Sequence, residues 1–509
     1  MGVVKSGVIH CIDPTTGEAA GEVACTAVSE IPEAVASART AQQDWADLRL
    51  SDRVEAVSKL HAAFLDHSEE IVQALALDCG RPAGEAWTAE IVANHELFQF
   101  WLGNIDDLLM ATPVQLNPIN YPGKRGAVRL EPLGVIGLIT PWNLPVAIPL
   151  RAIIPAILAG NTVVWKASEH SPRTAALLAK LCDAQLPTGV VTLLQGDGEQ
   201  GAALIEAQVD GIFFTGSVKT GRTVAAAAAQ LGIPAALELG GKDAAVVLPD
   251  ADLARAAQGI TWAAFGFAGQ NCAAVERCYV HRDVYDAFVA EVVALTKALK
   301  PMQDVGPLVT KAQLTIVQRH VAEAINAGAT VNAGGEAPGP GFYHQPTILT
   351  GVSEDMEVMK DETFGPVLPI APYDDIEDAI TKANATRYGL TTSLWTRDLD
   401  YGESLAERFD CGVVTINNHS FTGALASAAW GGIKDSGNGV TNSRFSLYEM
   451  TRPKTVVVDA SKRPEMWWYP YNEALLQVTR GVVGLARTGQ PKLRALSSVI
   501  SGLRNRFKE

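Results

Sequence analysis

Short apolar runs alternate with amphipathic stretches along most of this 509-residue chain. The runs lie at 134–139, 162–165, 190–194, 211–214 and 235–239. Turn signals stand beside nearly all of them: Gly160-Asn161 before one, and Gly196, Thr215-Gly216 and Gly240-Gly241 after others. Between runs, spacings such as Val57, Leu60 and Phe64 put apolar side chains on one helical face. This alternation predicts an α/β fold of βαβ units with a parallel sheet, and ligands gathered at the strand ends. A second α/β stretch runs from 241 to 447. Residues 114–132 read as two extended pieces around Asn120-Tyr121-Pro122-Gly123, and 455–458 as a late strand; both look like additions to the core. The alanines at 225–229 belong to a helix.

Between Pro132 and Trp165 the only charge is Arg151, so hydropathy alone would place a membrane span there. Pro141, Pro145, Pro149 and Pro155 exclude it, because four prolines remove too many helix hydrogen bonds. A buried segment is expected instead. The length suits two or three domains, and 48 % hydrophobic residues can fill a large core. A net charge of −15 argues against a nucleic-acid partner, which needs a basic face. Seven scattered cysteines without a CxxC pair predict neither disulfides nor a metal site and fit a reducing cytoplasm. Residues 1–13 have no apolar run, so export is not expected; Met1-Gly2 and Ser6 fit a myristoylation pattern too loose to carry weight.

Charge is not spread evenly. Residues 461–509 hold nine Lys/Arg and three Asp/Glu, a net +6, which leaves −21 on the remainder. Within this tail Leu493, Leu496, Ile500, Leu503 and Phe507 fall near one helical face, with Lys492, Arg494, Arg504, Arg506 and Lys508 around it. Trp467-Trp468-Tyr469 and Tyr471 precede them. Such a helix suits peripheral contact with an anionic membrane, and equally an acidic protein surface. It cannot span, since its longest uncharged run is 495–503.

Gly196-Asp-Gly-Glu-Gln-Gly201 has the GxGxxG form of a dinucleotide fingerprint, yet the next strand ends in Phe214-Thr-Gly-Ser217 with no carboxylate for a ribose. Phe214-Thr-Gly-Ser-Val-Lys-Thr-Gly221 is the better phosphate candidate: a strand end, a glycine, a hydroxyl and a helix start.

Six segments occur in order: Thr140-Pro-Trp-Asn-Leu-Pro145, Lys166-Ala-Ser-Glu169, Phe214-Thr-Gly-Ser217, Leu237-Glu-Leu-Gly-Gly-Lys242, Gly269-Gln-Asn-Cys272 and Glu362-Thr-Phe-Gly-Pro366. Together they resemble the aldehyde dehydrogenase superfamily over residues 8–460. The resemblance implies a Rossmann-type cofactor domain from 1–113 and 133–240, a catalytic domain at 241–447, and oligomerisation strands at 114–132 and 448–460. The basic amphipathic tail at 461–509 lies outside it.

The resemblance also assigns roles. Cys272 is the nucleophile, because an aldehyde has no leaving group but hydride and needs a soft nucleophile to form a tetrahedral thiohemiacetal. Its place in a glycine-rich loop lets a thiolate be exposed. Asn143 and the cysteine's own N–H stabilise the oxyanion. Glu238, 34 residues before the cysteine as in the family, activates water to hydrolyse the thioester, which favours the acid as product. Lys166 and Glu169 hold the adenine ribose, Gly216 and Ser217 the pyrophosphate, and Glu362 with Phe364 the nicotinamide ribose; Trp142, Gly196, Phe214 and Leu239 complete the cofactor site. A carboxylate at Glu169 favours NAD, with NADP tolerated. Around the substrate the resemblance places Leu144, Arg151, Phe267 and Trp430. The family's usual P-F-G-G reads Ala429-Trp430-Gly431-Gly432, and Gly266 stands where the succinate-semialdehyde branch has a second arginine. An aromatic or apolar aldehyde is therefore expected, with a succinate-semialdehyde type as the alternative. A non-catalytic protein on the same scaffold would not need Cys272, Glu238 and Asn143 together. Homodimers or homotetramers are implied.

Overall fold

A computed structural model describes residues 3–118, 120–488 and 492–506. All five apolar runs are strands of one parallel sheet, in the spatial order Ala235–Glu238, Gly211–Thr215, Val135–Ile139, Thr162–Lys166, Val191–Leu194. Four of them are buried along their whole length or all but one residue, as parallel strands covered by helices on both faces must be. The chain winds outward from Val135–Ile139 in one direction and returns to its other side at Gly211–Thr215. That reversal opens a crevice at the strands' C-terminal ends, where ligands bind in such sheets. The proline-rich segment supplies one of these strands and the helix Ala147–Leu158, with Pro155 inside it.

A second sheet runs Thr330–Ala333, Thr347–Thr350, Val367–Tyr373, Val275–His281, Asp243–Val247, Thr391–Trp395, Val413–Ile416, and only its first pair is antiparallel. The helix Leu253–Phe265 lies on it. Gly259 is needed there, since a Cβ would come within 2.3 Å of the Trp395 ring. Both sheets belong to one compact unit, residues 1–110 and 130–452; residues 111–129 and 453–509 form the other.

In the smaller unit Thr112–Val114 pairs antiparallel with Lys124–Pro132, and Thr451–Asp459 adds a third strand. Lys124 pairs with Asp459 at 2.9 Å and with Glu465, and lies over the Trp467 ring. The tail differs from the single helix read from its sequence. It holds two helices, Glu473–Ala486 and Lys492–Asn505, packed against each other. Arg506, expected on the basic rim, is buried and donates to the carbonyls of Met466 and Trp468. Phe507, Lys508 and the Met1-Gly2 pair lie outside the described residues. Among those described, no helix is long and apolar enough to cross a membrane.

Candidate active site

Helix Leu253–Phe265 ends at Gly266, and the next two residues, Phe267 and Ala268, both take left-handed φ values of 58° and 53°. Such backbone persists only when neighbours fix it. Glu85 accepts the Phe267 N–H, and the Arg81 guanidinium lies 4.6 Å from the Phe267 ring centroid while donating to the Asn143 carbonyl. Gly269, at φ +71°, runs so close to Gly365 that a Cβ would sit 2.1 Å from its carbonyl oxygen. Gln270 closes the loop, donating to the Phe267 carbonyl and accepting the Val309 N–H, each at 2.9 Å.

Cys272 follows, half-buried, ahead of strand Val275–His281. Burial first, then the carboxyl of Glu238, pushes its thiol up to about 12. Burial thus favours the protonated thiol, where the loop's sequence led to the expectation of an exposed thiolate. Asn143 is buried and gives Nδ2 to the Gln270 carbonyl at 3.0 Å. An amide carries two N–H donors, so one remains for a substrate oxygen. Glu238 ends strand Ala235–Glu238 and is 8 % exposed. Burial raises its pKa well above the carboxylate range, while the Arg151 charge and a hydrogen bond from the Trp430 side chain pull the other way.

Cys272, Glu238, Leu144, Arg151, Phe267 and Trp430 line one cavity of about 240 Å³, which Phe214 and Leu239 extend toward the strand ends. Arg151 and Glu238 are its only charged lining residues among those described.

The remaining sequence-predicted residues ring the strand ends. Lys166 ends its strand, 3.8 Å from Glu169, and donates to the Gly196 carbonyl at 3.3 Å. Gly196 has a structural cause for being glycine: a Cβ would strike the Gln200 side chain, which accepts the Asp197 N–H in the cap of helix Gly198–Glu206. Ser217 caps helix Val218–Leu231 by accepting the Thr220 N–H. The first N–H groups of that helix have no intrahelical acceptor and suit a phosphate. Gly216 donates to the Glu238 carbonyl, and Leu239 fills the space left by Gly221. Glu362 accepts the Gly241 N–H at 3.2 Å and is raised to about 8 by burial, then by Glu276. Phe364, at φ +47°, sets its ring edge-on to Trp142, centroids 5.7 Å apart. Helix-terminal donors, the Lys166 ammonium and the carboxyls of Glu169 and Glu362 near the strand ends form a donor set that fits a dinucleotide. No cluster of His, Cys, Asp and Glu among the described residues is placed to hold a metal.

Four buried or partly buried groups that support the site were missed from sequence. Arg81 and Glu85 fix the loop before the cysteine. Glu90 accepts the Ala147 N–H at 2.7 Å at the start of the helix carrying Arg151. Glu276 takes the N–H groups of Thr363 and Phe364 at 2.7 and 2.8 Å and pairs with Lys242 at 2.5 Å. Glu276 stands four residues after Cys272, and its place beside Arg277 as a charged pair within a strand was the one signal available.

Comparison with known proteins agrees with this geometry. Residues 3–456 match the model of the aldehyde dehydrogenase family. The chain is 34 % identical to a 4,4'-diapolycopene aldehyde oxidase from Methylomonas sp over 91 % of its own length and 88 % of that protein. Among solved structures it is similar to a Mycobacterium tuberculosis aldehyde dehydrogenase complexed with NAD+ (TM-score 0.85, 32 % identity, 90 % of this chain and 96 % of that one). It is similar too to an E. coli NADP dependent enzyme (TM-score 0.85, 30 % identity, 89 % and 95 %). A cysteine and a carboxyl lining one cavity, with an amide bonded to the loop that carries the cysteine, are thus accounted for: the chain belongs to the aldehyde dehydrogenase family, NAD(P)-dependent oxidoreductases that act on aldehydes.

Proposed function

We propose that the chain oxidises an apolar or aromatic aldehyde to its carboxylic acid through a thioester on Cys272. The observation that carries the substrate class is the cavity wall: Leu144, Ile148, Trp262, Phe267, Phe421 and Trp430 surround the thiol. At about 240 Å³ it exceeds the roughly 150 Å³ that accommodates a benzene ring. The similarity to a 4,4'-diapolycopene aldehyde oxidase fits this class. A succinate-semialdehyde substrate is less well served, since among the described residues Arg151 is the only cation at the wall and Gly266 offers no second.

The residues divide the work by position. The Cys272 sulfur bonds to the carbonyl carbon as its proton passes to water, and the Asn143 N–H not engaged by Gln270 meets the oxygen that gains charge. Bound NAD(P) supplies the hydride acceptor; Lys166, Glu169, Ser217, Glu362 and Phe364 are the residues that would hold it. Glu169 disfavours a 2′-phosphate by like-charge repulsion, which makes NAD the preferred form. Ionised Glu238 then takes a proton from water as its oxygen attacks the thioester, and the C–S bond breaks to release the acid and free the cysteine. A cytoplasmic homodimer or homotetramer, paired through the open strand Thr451–Asp459, completes the proposal.

Two variants test the roles. Cys272→Ala should bind NAD and give no NADH with any aldehyde. Glu238→Gln should give a single-turnover burst of NADH and a stalled acyl adduct visible by mass spectrometry. Steady turnover by Cys272→Ala, or neither burst nor adduct from Glu238→Gln, would overturn the scheme. A panel of aromatic, long-chain and semialdehyde substrates, run with both cofactors, tests the rest.

A further inference from the structure

The two tail helices meet through glycine. A Cβ at Gly481 would lie 2.7 Å from the Ala495 carbonyl oxygen, and one at Gly502 would lie 2.7 Å from that of Ala474. The backbones therefore touch, and Val478 with Val499 fills the seam. With the inner faces matched so closely, the other apolar residues are left outside. Leu493, Leu496, Ile500 and Leu503 are all exposed, Leu493 to 83 %. On a helix these four share one face, and Lys492 and Arg504 fall at its two margins. The partner helix repeats the arrangement: exposed Leu476 and Val483 lie one turn before Arg480 and Arg487 respectively. Exposed Trp467, Trp468, Tyr469 and Tyr471 precede the pair.

An apolar face with basic margins and aromatic neighbours is the pattern of a helix lying in a lipid interface, where long basic stems reach sideways to phosphates. Charge separates an anionic bilayer from the same face of a second copy. The same face on a second copy would bring a segment of net +6 against another of net +6, whereas an anionic bilayer offers the opposite sign. We propose that the paired helices Glu473–Ala486 and Lys492–Asn505 dock on an anionic lipid surface, with Leu493, Leu496, Ile500 and Leu503 among the acyl chains and the flanking guanidinium and ammonium groups among the headgroups. This goes beyond the catalytic reading and does not depend on it.

The test is flotation of the full-length protein with phosphatidylcholine vesicles, with and without phosphatidylglycerol, at low and high salt. Two surface variants accompany it, Leu496→Ser with Ile500→Ser, and Lys492→Gln with Arg504→Gln. Turnover of a small soluble aldehyde by each verifies that the protein is folded. The wild type should float with the phosphatidylglycerol vesicles and less so at high salt, and either double variant should partition roughly tenfold more weakly. The proposal falls if the wild type stays with the unbound protein, or if both variants float as well as it does. It falls also if the serine variant instead elutes as a smaller oligomer, which would assign the face to a second copy.

Discussion

Glu238 must lose a proton before it can take one from water, and its surroundings make that loss hard. Burial holds the acid form, while Arg151 and the Trp430 side chain pull toward the carboxylate. The ionised fraction of a raised acid grows with pH, so thioester hydrolysis should quicken from neutral to alkaline pH. Arg151 lowers the pKa of Cys272 as well. Replacing it with methionine removes a positive charge beside both groups, so both pKa values rise, and the acid limb of kcat against pH should move to higher pH even with a neutral aromatic aldehyde. An unmoved limb would make Arg151 a wall residue only. The identities of Cys272 and Glu238 were legible, because neighbouring glycines and their mutual spacing mark them. Their protonation was not: it is set by enclosure and by a guanidinium and an indole that arrive from remote parts of the chain.

The loop carrying Glu362 and Phe364 shows what an element needs beyond its own sequence. Glu276 accepts two successive N–H groups there, and Lys242 pairs with the same oxygen that takes the Thr363 N–H. In Glu276→Gln one oxygen becomes a donor facing an N–H, and a buried donor left unpaired costs about 1–3 kcal/mol. The expected result is a KM for NAD raised roughly tenfold, with single-turnover thiol alkylation at Cys272 unchanged. Fluorescence of Trp142, beside Phe364, offers a direct binding readout. The strands themselves were readable, since apolar runs bounded by Gly160, Gly216 and Gly240 can do little but cross a sheet. What joins Arg81 to Asn143 and Glu85 to Phe267 was not, because no local pattern records which distant backbone a buried charge will meet.

At the scale of the molecule, catalysis and the tail fall in different compact units. Deleting residues 473–509 keeps the Lys124 pairs with Asp459 and Glu465. That truncated protein should oxidise soluble aldehydes at the full-length rate while losing helical signal by circular dichroism. A large fall in kcat would tie the tail to the site. The tail's helical face and charge were legible from its residues, but the hairpin was not, since Gly481, Gly484 and Gly502 look like weak points in a helix until a partner helix presses on them. The strand Thr451–Asp459, with Val456, Val457 and Val458 all exposed, leaves an edge that another strand can extend. Two chains joined along it would carry two hairpins on one body. Attachment then becomes bivalent: after the first hairpin lands, the second finds the surface at a high effective concentration, and their weak affinities multiply. Dilution that parts the strands would also end that avidity, so occupancy of the lipid surface would report how much of the protein is assembled.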